Sequence, residues 1–377
     1  MYQKLSSTNI FNGKKMLGAG NVLITDADGT IEAIVPIADA GDDIQYFNGI
    51  VCPGFVNAHC HIELSHLKGE IPGHTGLVDF VQQVMRRRNV AEDEKARAMQ
   101  QAEKEMYDSG IVAVGDICNT SDSCVLKSQS KIRWHNFIEV SGFVDASADK
   151  RFAAIRDVLH QFPAGNSTLS PHAPYSVSKK LFELINSHTQ NQIVSIHNQE
   201  AQAENELYHN KTGDFLNLYK NLGIDIAGFL PTGKTSLQSW LPYFNRQQSI
   251  IAVHNTFASD EDIQFVKMQN NEAYFCLCTN ANLYIENALP PIDLLLKSKC
   301  NIVLGTDSLA SNHTLNMMDE INVLQKYYPQ ISFETMLQWA TLNGAKALGM
   351  DDQLCSFEKG KKPGVVLIKN DRVKRIL

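Results

Sequence analysis

"GFLPTGKT", Gly228 to Thr235, fits G-x-x-x-x-G-K-[ST] letter for letter, the spacing of a loop that wraps nucleotide phosphates. A working loop of that kind needs a strong buried strand before it and a Mg²⁺-binding Asp on a neighbouring strand. The run before Gly228, "LGIDIA", is short and weak. The Asp that would serve, Asp307 in "NIVLGTD", already belongs to another series of residues. The eight letters therefore read as a connection ending in a Ser/Thr helix cap before an amphipathic turn, at most a lid, and a nucleotide hydrolase is the unlikely alternative.

Working outward, short apolar runs alternate with longer amphipathic stretches from about Val51 onward. The runs include "GIVAVGD", "QIVSIHN", "SIIAVHN" and "NIVLGTD". Between them lie helical patterns such as "LVDFVQQVMRRRNV", "EKARAMQQAEKEMYDSG" and "ISFETMLQWATLNGAKALG". Such alternation predicts parallel β in βα units, and the number of units suits a TIM (β/α)₈ barrel. Both ends of the chain read as β: "NVLITD" and "TIEAIVPI" joined by "DADG" at the start, "GKKPGVVLIKN" at the finish. The expected organisation is an α/β chain with 1–50 and 355–377 forming a small β-sandwich domain around a barrel over 51–354.

The bulk numbers narrow the partners. The chain has 377 residues and a net charge of −7, which argues against broad contact with nucleic acid or an anionic membrane. No apolar run reaches the roughly 18 residues of a membrane span, and "MYQKLSSTNI" lacks the apolar core of a signal peptide. Eight cysteines without an export signal read as reduced thiols in a cytoplasmic protein. The one close pair, Cys276 and Cys278, has no second pair to complete a thiolate metal site.

Several apolar runs end in or just past a chemically capable residue: His59 and His61, Asp116, His197, His254 and Asp307. In a barrel, strand C-termini converge on one face, so residues far apart in sequence meet there. "NAHCHIEL" places His59 and His61 on one side of a strand, able to face one ion. "SIHNQE" supplies His197 and, three residues on, Glu200, which can lie beside a metal and move protons without binding it. "AVHNTF" adds His254, "VLGTDSLASN" adds Asp307, and "SPHAPYS" holds His172 in a loop stiffened by two prolines. Singly, each has a bland reading as a core histidine, a cap or a turn; their common position at strand ends gives the set its weight.

The order H-x-H, His172, His197-x-x-Glu200, His254, Asp307 resembles the amidohydrolase superfamily, and within it the mononuclear aminohydrolases. These include the aminofutalosine, S-adenosylhomocysteine, guanine and cytosine deaminases and the triazine chlorohydrolases. The resemblance implies that His59, His61, His197 and Asp307 ligate one divalent metal ion, Zn or Fe, with Asp307 also catalytic. It makes Glu200 the proton shuttle, His254 a holder of the attacking water and His172 a substrate neighbour. Dinuclear members carry a carboxylated Lys at the end of the fourth barrel strand; Lys179 and Lys180 come too late, so one ion is expected. Two departures stand out. "KPGVVLI" lacks the usual Ala-Asp, and "CTNANLYI" replaces Cys-Pro-x-Ser-Asn-Leu near the substrate.

The implied reaction is deamination of an aminated heterocycle: metal-bound hydroxide attacks a ring carbon, Glu200 protonates the ring nitrogen, and ammonia leaves. "HIELSHLKG…GLVDFVQQV" resembles aminofutalosine deaminases, which points to an adenosine-like nucleoside. Glu63 either reads a substrate amine or is a salt-bridged structural carboxylate. Guanine or cytosine deamination, triazine dechlorination and cyclic-amide hydrolysis use the same attack; a metal-free scaffold is the non-enzyme alternative. The frequency of dimers among relatives allows a homodimer.

Overall fold

The computed structural model describes residues 2–190, 192–269 and 271–377. The chain opens with β1 (Gln3–Ile10), β2 (Asn21–Thr25), β3 (Ile31–Pro36) and β4 (Ile44–Pro53). Eight further strands follow: β5 (Phe55–Cys60), β6 (Ile111–Cys118), β7 (Arg133–Val140), β8 (Ser167–Pro171), β9 (Val194–Asn198), β10 (Ser249–His254), β11 (Glu272–Leu277) and β12 (Asn301–Leu304). The last two are β13 (Val365–Lys369) and β14 (Arg372–Arg375). Helices that matter below are α1 (Leu77–Arg87), α2 (Glu92–Asp108), α3 (Cys124–Gln129), α4 (Ala148–Leu159), α5 (Lys179–His188), α6 (Gln202–Asn210), α7 (Phe215–Asn221) and α8 (Ser236–Trp240).

Strands β5 to β8 form one four-stranded parallel sheet and β9 to β12 another, each in sequence order. Their edges meet on both sides. At one seam Cys60 bridges Asp307 in the parallel sense, and the amides of Thr306 and Asp307 both donate to His59 O. At the other, His197 N donates to His172 O. Asn57 reinforces the first seam: its Nδ2 donates to Thr306 Oγ1 while its Oδ1 accepts from Thr306 N. Strands such as β5, β6 and β9 are buried along their whole length, as expected where helices cover one face and side chains fill the other.

The ends of the chain come together as the sequence suggests. They build one six-stranded sheet, ordered β14-β13-β4-β1-β2-β3, in which β13 runs antiparallel to β4. The sheet has its own small core around Leu5, Ile10, Leu23, Ile31, Val51, Phe357 and Val365.

Gly228–Thr235 is irregular, with no strand among the residues between α7 and α8. Thr235 caps α8 by accepting from Gln238 N. Lys211, in left-handed conformation after α6, ties the loop down through the carbonyls of Ile226 and Phe229, both at 2.8 Å. Among the described residues no strand leads into it, and Thr235 Oγ1 donates to Asp262 Oδ1 within the cap of a five-residue helix, so the pattern match is a capped turn. All eight cysteines are free, and Cys276 and Cys278 are buried in an apolar cluster with Val253, Val303 and Ala281.

Candidate active site

The C-terminal ends of β5, β9, β10 and β12 put His59, His61, His197, His254 and Asp307 together. The Nε2 atoms of His59 and His197 each lie 3.1 Å from that of His61. Asp307 Oδ1 is 3.3 Å from His61 Nε2 and 3.6 Å from His59 Nε2. Four lone-pair donors so bunched cannot satisfy one another by hydrogen bonds, but they fit a cation. Metal–nitrogen distances of about 2.0–2.1 Å in a tetrahedral site place ligands roughly 3.3 Å apart. Burial keeps the imidazoles neutral, as ligands must be: it drives His61 down to about 3 and His197 well below its ordinary value. Burial alone would raise Asp307, yet His59 and the other surrounding imidazoles hold its carboxylate well below the usual range.

Each ring is oriented from behind. His197 Nδ1 donates to His172 O at 2.8 Å, which turns Nε2 inward. Ser311 Oγ donates to the second Asp307 oxygen. His254 Nδ1 lies 2.7 Å from Asn282 Oδ1, so its proton is committed there and Nε2 is left bare towards Glu200 Oε1 at 3.6 Å. Gly305 is needed for the approach of β12 to β5, since a Cβ there would sit 2.8 Å from His59 Cβ and 2.9 Å from Cys276 Sγ. Backbone strain gathers here too: Gln199, His254, Asn255 and Asp307 all have positive φ.

Glu200 lies beside the cluster with its carboxyl buried; burial, then the charge of Asp307, pushes its pKa well above the ordinary value. That shift favours the carboxyl holding a proton, the form in which it can act as a donor. Glu204 holds the backbone of this turn, accepting from the amides of Gln199 and Glu200 at 3.0 and 2.7 Å.

These groups form one end of a cavity of about 290 Å³. Its sides are apolar, from Leu77, Phe80 and Val84 of α1 and from Phe143, Leu218 and Tyr219. His172 lines it, its Nδ1 held by Ser176 Oγ. Arg88 and Arg151 stand farther out. Glu63 does not line this cavity: its Oε2 accepts from the amides of Asn119 and Thr120 at 3.1 and 3.2 Å, while Oε1 is buried without a partner. Asp116 likewise stays behind the strands.

Two residues of the site escape a reading of sequence. Glu139, at the end of β7, faces the cavity with Oε1 3.7 Å from His197 Nδ1. The run "RWHNFIEV" is too polar to stand out as a strand, although the strand-end rule applied to it would have found Glu139. Asn282 follows β11 in "CTNANLYI", the stretch that departs from the Cys-Pro-x-Ser-Asn-Leu pattern, and only the fold shows that it meets His254.

An α/β chain of parallel strands carrying a His₃Asp cluster at their C-terminal ends has the makings of a metal-dependent hydrolase. Residues 50–375 match the sequence profile of the Amidohydrolase family, and the chain belongs to that family. It is 26% identical over 360 residues to a 5-methylthioadenosine/S-adenosylhomocysteine deaminase of Pyrococcus abyssi, covering 89% of this chain and 77% of that one. It is 25% identical over 318 residues to an aminodeoxyfutalosine deaminase of Nitratiruptor sp., covering 81% and 75% respectively. Among solved structures it resembles Helicobacter pylori aminofutalosine deaminase in complex with methylthio-coformycin, with a TM-score of 0.84, 21% identity and coverage of 98% and 93%.

Proposed function

We propose that this protein is a hydrolytic deaminase of an adenosine-like nucleoside. One observation carries the reading: the buried carboxyl of Glu200 stands beside three converging imidazole nitrogens and Asp307 at the end of an apolar cavity. The names of the relatives, all nucleoside deaminases, support the substrate class. The two parallel sheets are read as one (β/α)₈ barrel over 51–354, with 1–50 and 355–377 as its β-sandwich companion.

In this reading His59, His61, His197 and Asp307 hold one divalent ion, and the donor set suits Zn²⁺ or Fe²⁺. Such an ion lowers the pKa of bound water to about 7 and so supplies hydroxide at neutral pH. Glu200 gives its proton to the ring nitrogen next to the amino-bearing carbon, which makes that carbon electrophilic. The bare Nε2 of His254 would accept the one hydrogen bond that the attacking hydroxide can donate and fix its approach, with Asp307 beside it to take that proton later. As the carbon–nitrogen bond breaks, Glu200 and Asp307 pass the proton to the departing amine, and ammonia leaves with the carbonyl product behind. The apolar side walls exclude bulk water and pack against the nucleoside.

Ammonia release from 5′-methylthioadenosine, aminodeoxyfutalosine, guanine, cytosine and melamine tests the proposal. Turnover of an adenosine derivative is expected; preference for guanine, cytosine or melamine would move the substrate class, and silence across the panel would reject deamination.

A further inference from the structure

Behind the cluster, on the side away from the cavity, lies a buried ion pair that the chemistry above does not use. Asp116, two residues before the end of β6, is fully buried, and its Oδ2 is 2.5 Å from Lys127 Nζ on α3. Lys127 is the one lysine or arginine that is buried among the described residues. Its other protons go to Asn136 Oδ1 at 2.9 Å and Cys118 Sγ at 3.0 Å, so the ammonium is fully committed. Its position is further fixed by the rings of Trp134 and Phe162, with centroids at 5.1 and 5.4 Å. Burial opposes the charge of Lys127, but Asp116 beside it keeps the ammonium charged.

The free oxygen of Asp116 shows where the pair acts. Oδ1 accepts from Ile62 N at 2.9 Å, the amide that follows His61 directly. There the regular ladder fails. Pairing between β5 and β6 slips between Asn57 and Cys60, three residues on β5 against two on β6. His59 sits inside that slip, and His61 leaves the strand for a tight turn over Ile62–Leu67. A bulged strand leaves an amide without its ladder partner and re-aims the side chains around it. On one edge the arm is held by Thr306 and Asp307, whose amides bond His59 O. On the other, the Asp116 carboxylate takes the place of the missing ladder acceptor.

We propose that Asp116 and Lys127 are a positioning pair for the metal-binding arm, in which Asp116 fixes the His61–Ile62 peptide and Lys127 fixes Asp116. Lysine neutralises a carboxylate that would otherwise lie uncompensated in the interior, where an unpaired charge either takes up a proton or turns towards water. The proposal rests on reading His59, His61, His197 and Asp307 as a metal site.

The test compares two charge-free double variants in the full-length protein. Asp116→Asn with Lys127→Met keeps an oxygen acceptor for Ile62 N; Asp116→Leu with Lys127→Met removes it. If the pair served stability alone, the apolar combination would do as well as the amide one. The readouts are Zn²⁺ affinity by competition with a chromophoric chelator and the visible spectrum of the Co²⁺-loaded protein. Melting of the metal-free forms shows that both variants fold. The amide double is expected to bind Zn²⁺ within about threefold of wild type. The apolar double is expected to bind about 10–100-fold more weakly with an altered Co²⁺ spectrum, the usual effect of losing an outer support of a metal ligand. Equal affinity and equal spectra in two folded variants would overturn the positioning role. If either double fails to fold, Lys127→Met alone is read the same way: unchanged affinity overturns the proposal and a loss of tenfold or more supports it. Should wild type itself take up no metal, the metal-site reading fails first, separately from this one.

Discussion

Replacing Asn282 by alanine perturbs the chemistry without touching any member of the metal cluster. Asn282 is fully buried, and its Oδ1 takes the Nδ1 proton of His254 at 2.7 Å. That bond decides which His254 nitrogen is bare and keeps Nε2 pointed at the reacting oxygen. Alanine removes the acceptor, leaves a buried N–H unsatisfied and frees the imidazole to change tautomer or rotate. A buried donor stranded in this way costs about 1–3 kcal/mol. If the loss falls on the transition state, kcat drops about 5- to 150-fold. The assay is steady-state ammonia release from 5′-methylthioadenosine, with metal content measured on the same preparation. The expected result is a lowered kcat, a nearly unchanged KM and full metal occupancy. Asn282→Asp keeps an acceptor but adds a charge, so His254 holds a proton to higher pH and the acid limb of the rate profile moves upward. A kcat within twofold of wild type in a metal-loaded Asn282→Ala protein would refute a role for the bare Nε2.

Glu200→Gln removes the proton donor but no member of the cluster; metal content should hold while kcat falls about 10²- to 10⁴-fold, and retained turnover would remove Glu200 from the mechanism. Gly305→Ala forces a methyl group against His59 and Cys276, a clash expected to cost about 1–3 kcal/mol in thermal unfolding and to weaken metal retention. Glu63 supplies a pH dependence of stability: burial raises its pKa from 4.5 to about 7, so the folded state binds more protons than the unfolded one between those values. Its contribution is present below pH 4.5 and is lost as pH rises through 7, a change of about 3 kcal/mol. Glu63→Gln should flatten that fall in denaturant unfolding between pH 4.5 and 7, and an unchanged slope would show that Glu63 does not titrate there.

Much of this was legible in the sequence because barrels repeat one rule. Apolar runs such as "QIVSIHN" and "SIIAVHN" end in the residue that the fold delivers to the site, so His197 and His254 could be placed without any contact being known. His59, His61 and Asp307 followed from the same rule, and the structure brings all five together. The rule misleads at Asp116, which ends the apolar run "GIVAVGD" yet lies two residues short of the end of β6 and faces Lys127 and the Ile62 amide instead of the cavity. Which way a strand's last side chain turns depends on bulges and on the helix behind it, and neither shows in hydrophobic periodicity. Glu139 was hidden because β7 mixes polar and apolar residues, and Asn282 because its partner is 28 residues away. The Gly228 loop shows the converse error, a local pattern without its surroundings.

The left-handed backbone at Gln199, His254, Asn255 and Asp307 bears on how this protein can change over time. Each such residue costs about 1–3 kcal/mol that the remainder of the molecule must offset. Glycine would relieve the strain at any of the four, but at His254 and Asp307 it would delete the working group as well. Evolution of new specificity is therefore easier along the cavity walls of α1 and α7, where the backbone is relaxed, than at the strand ends, where drift has almost no room.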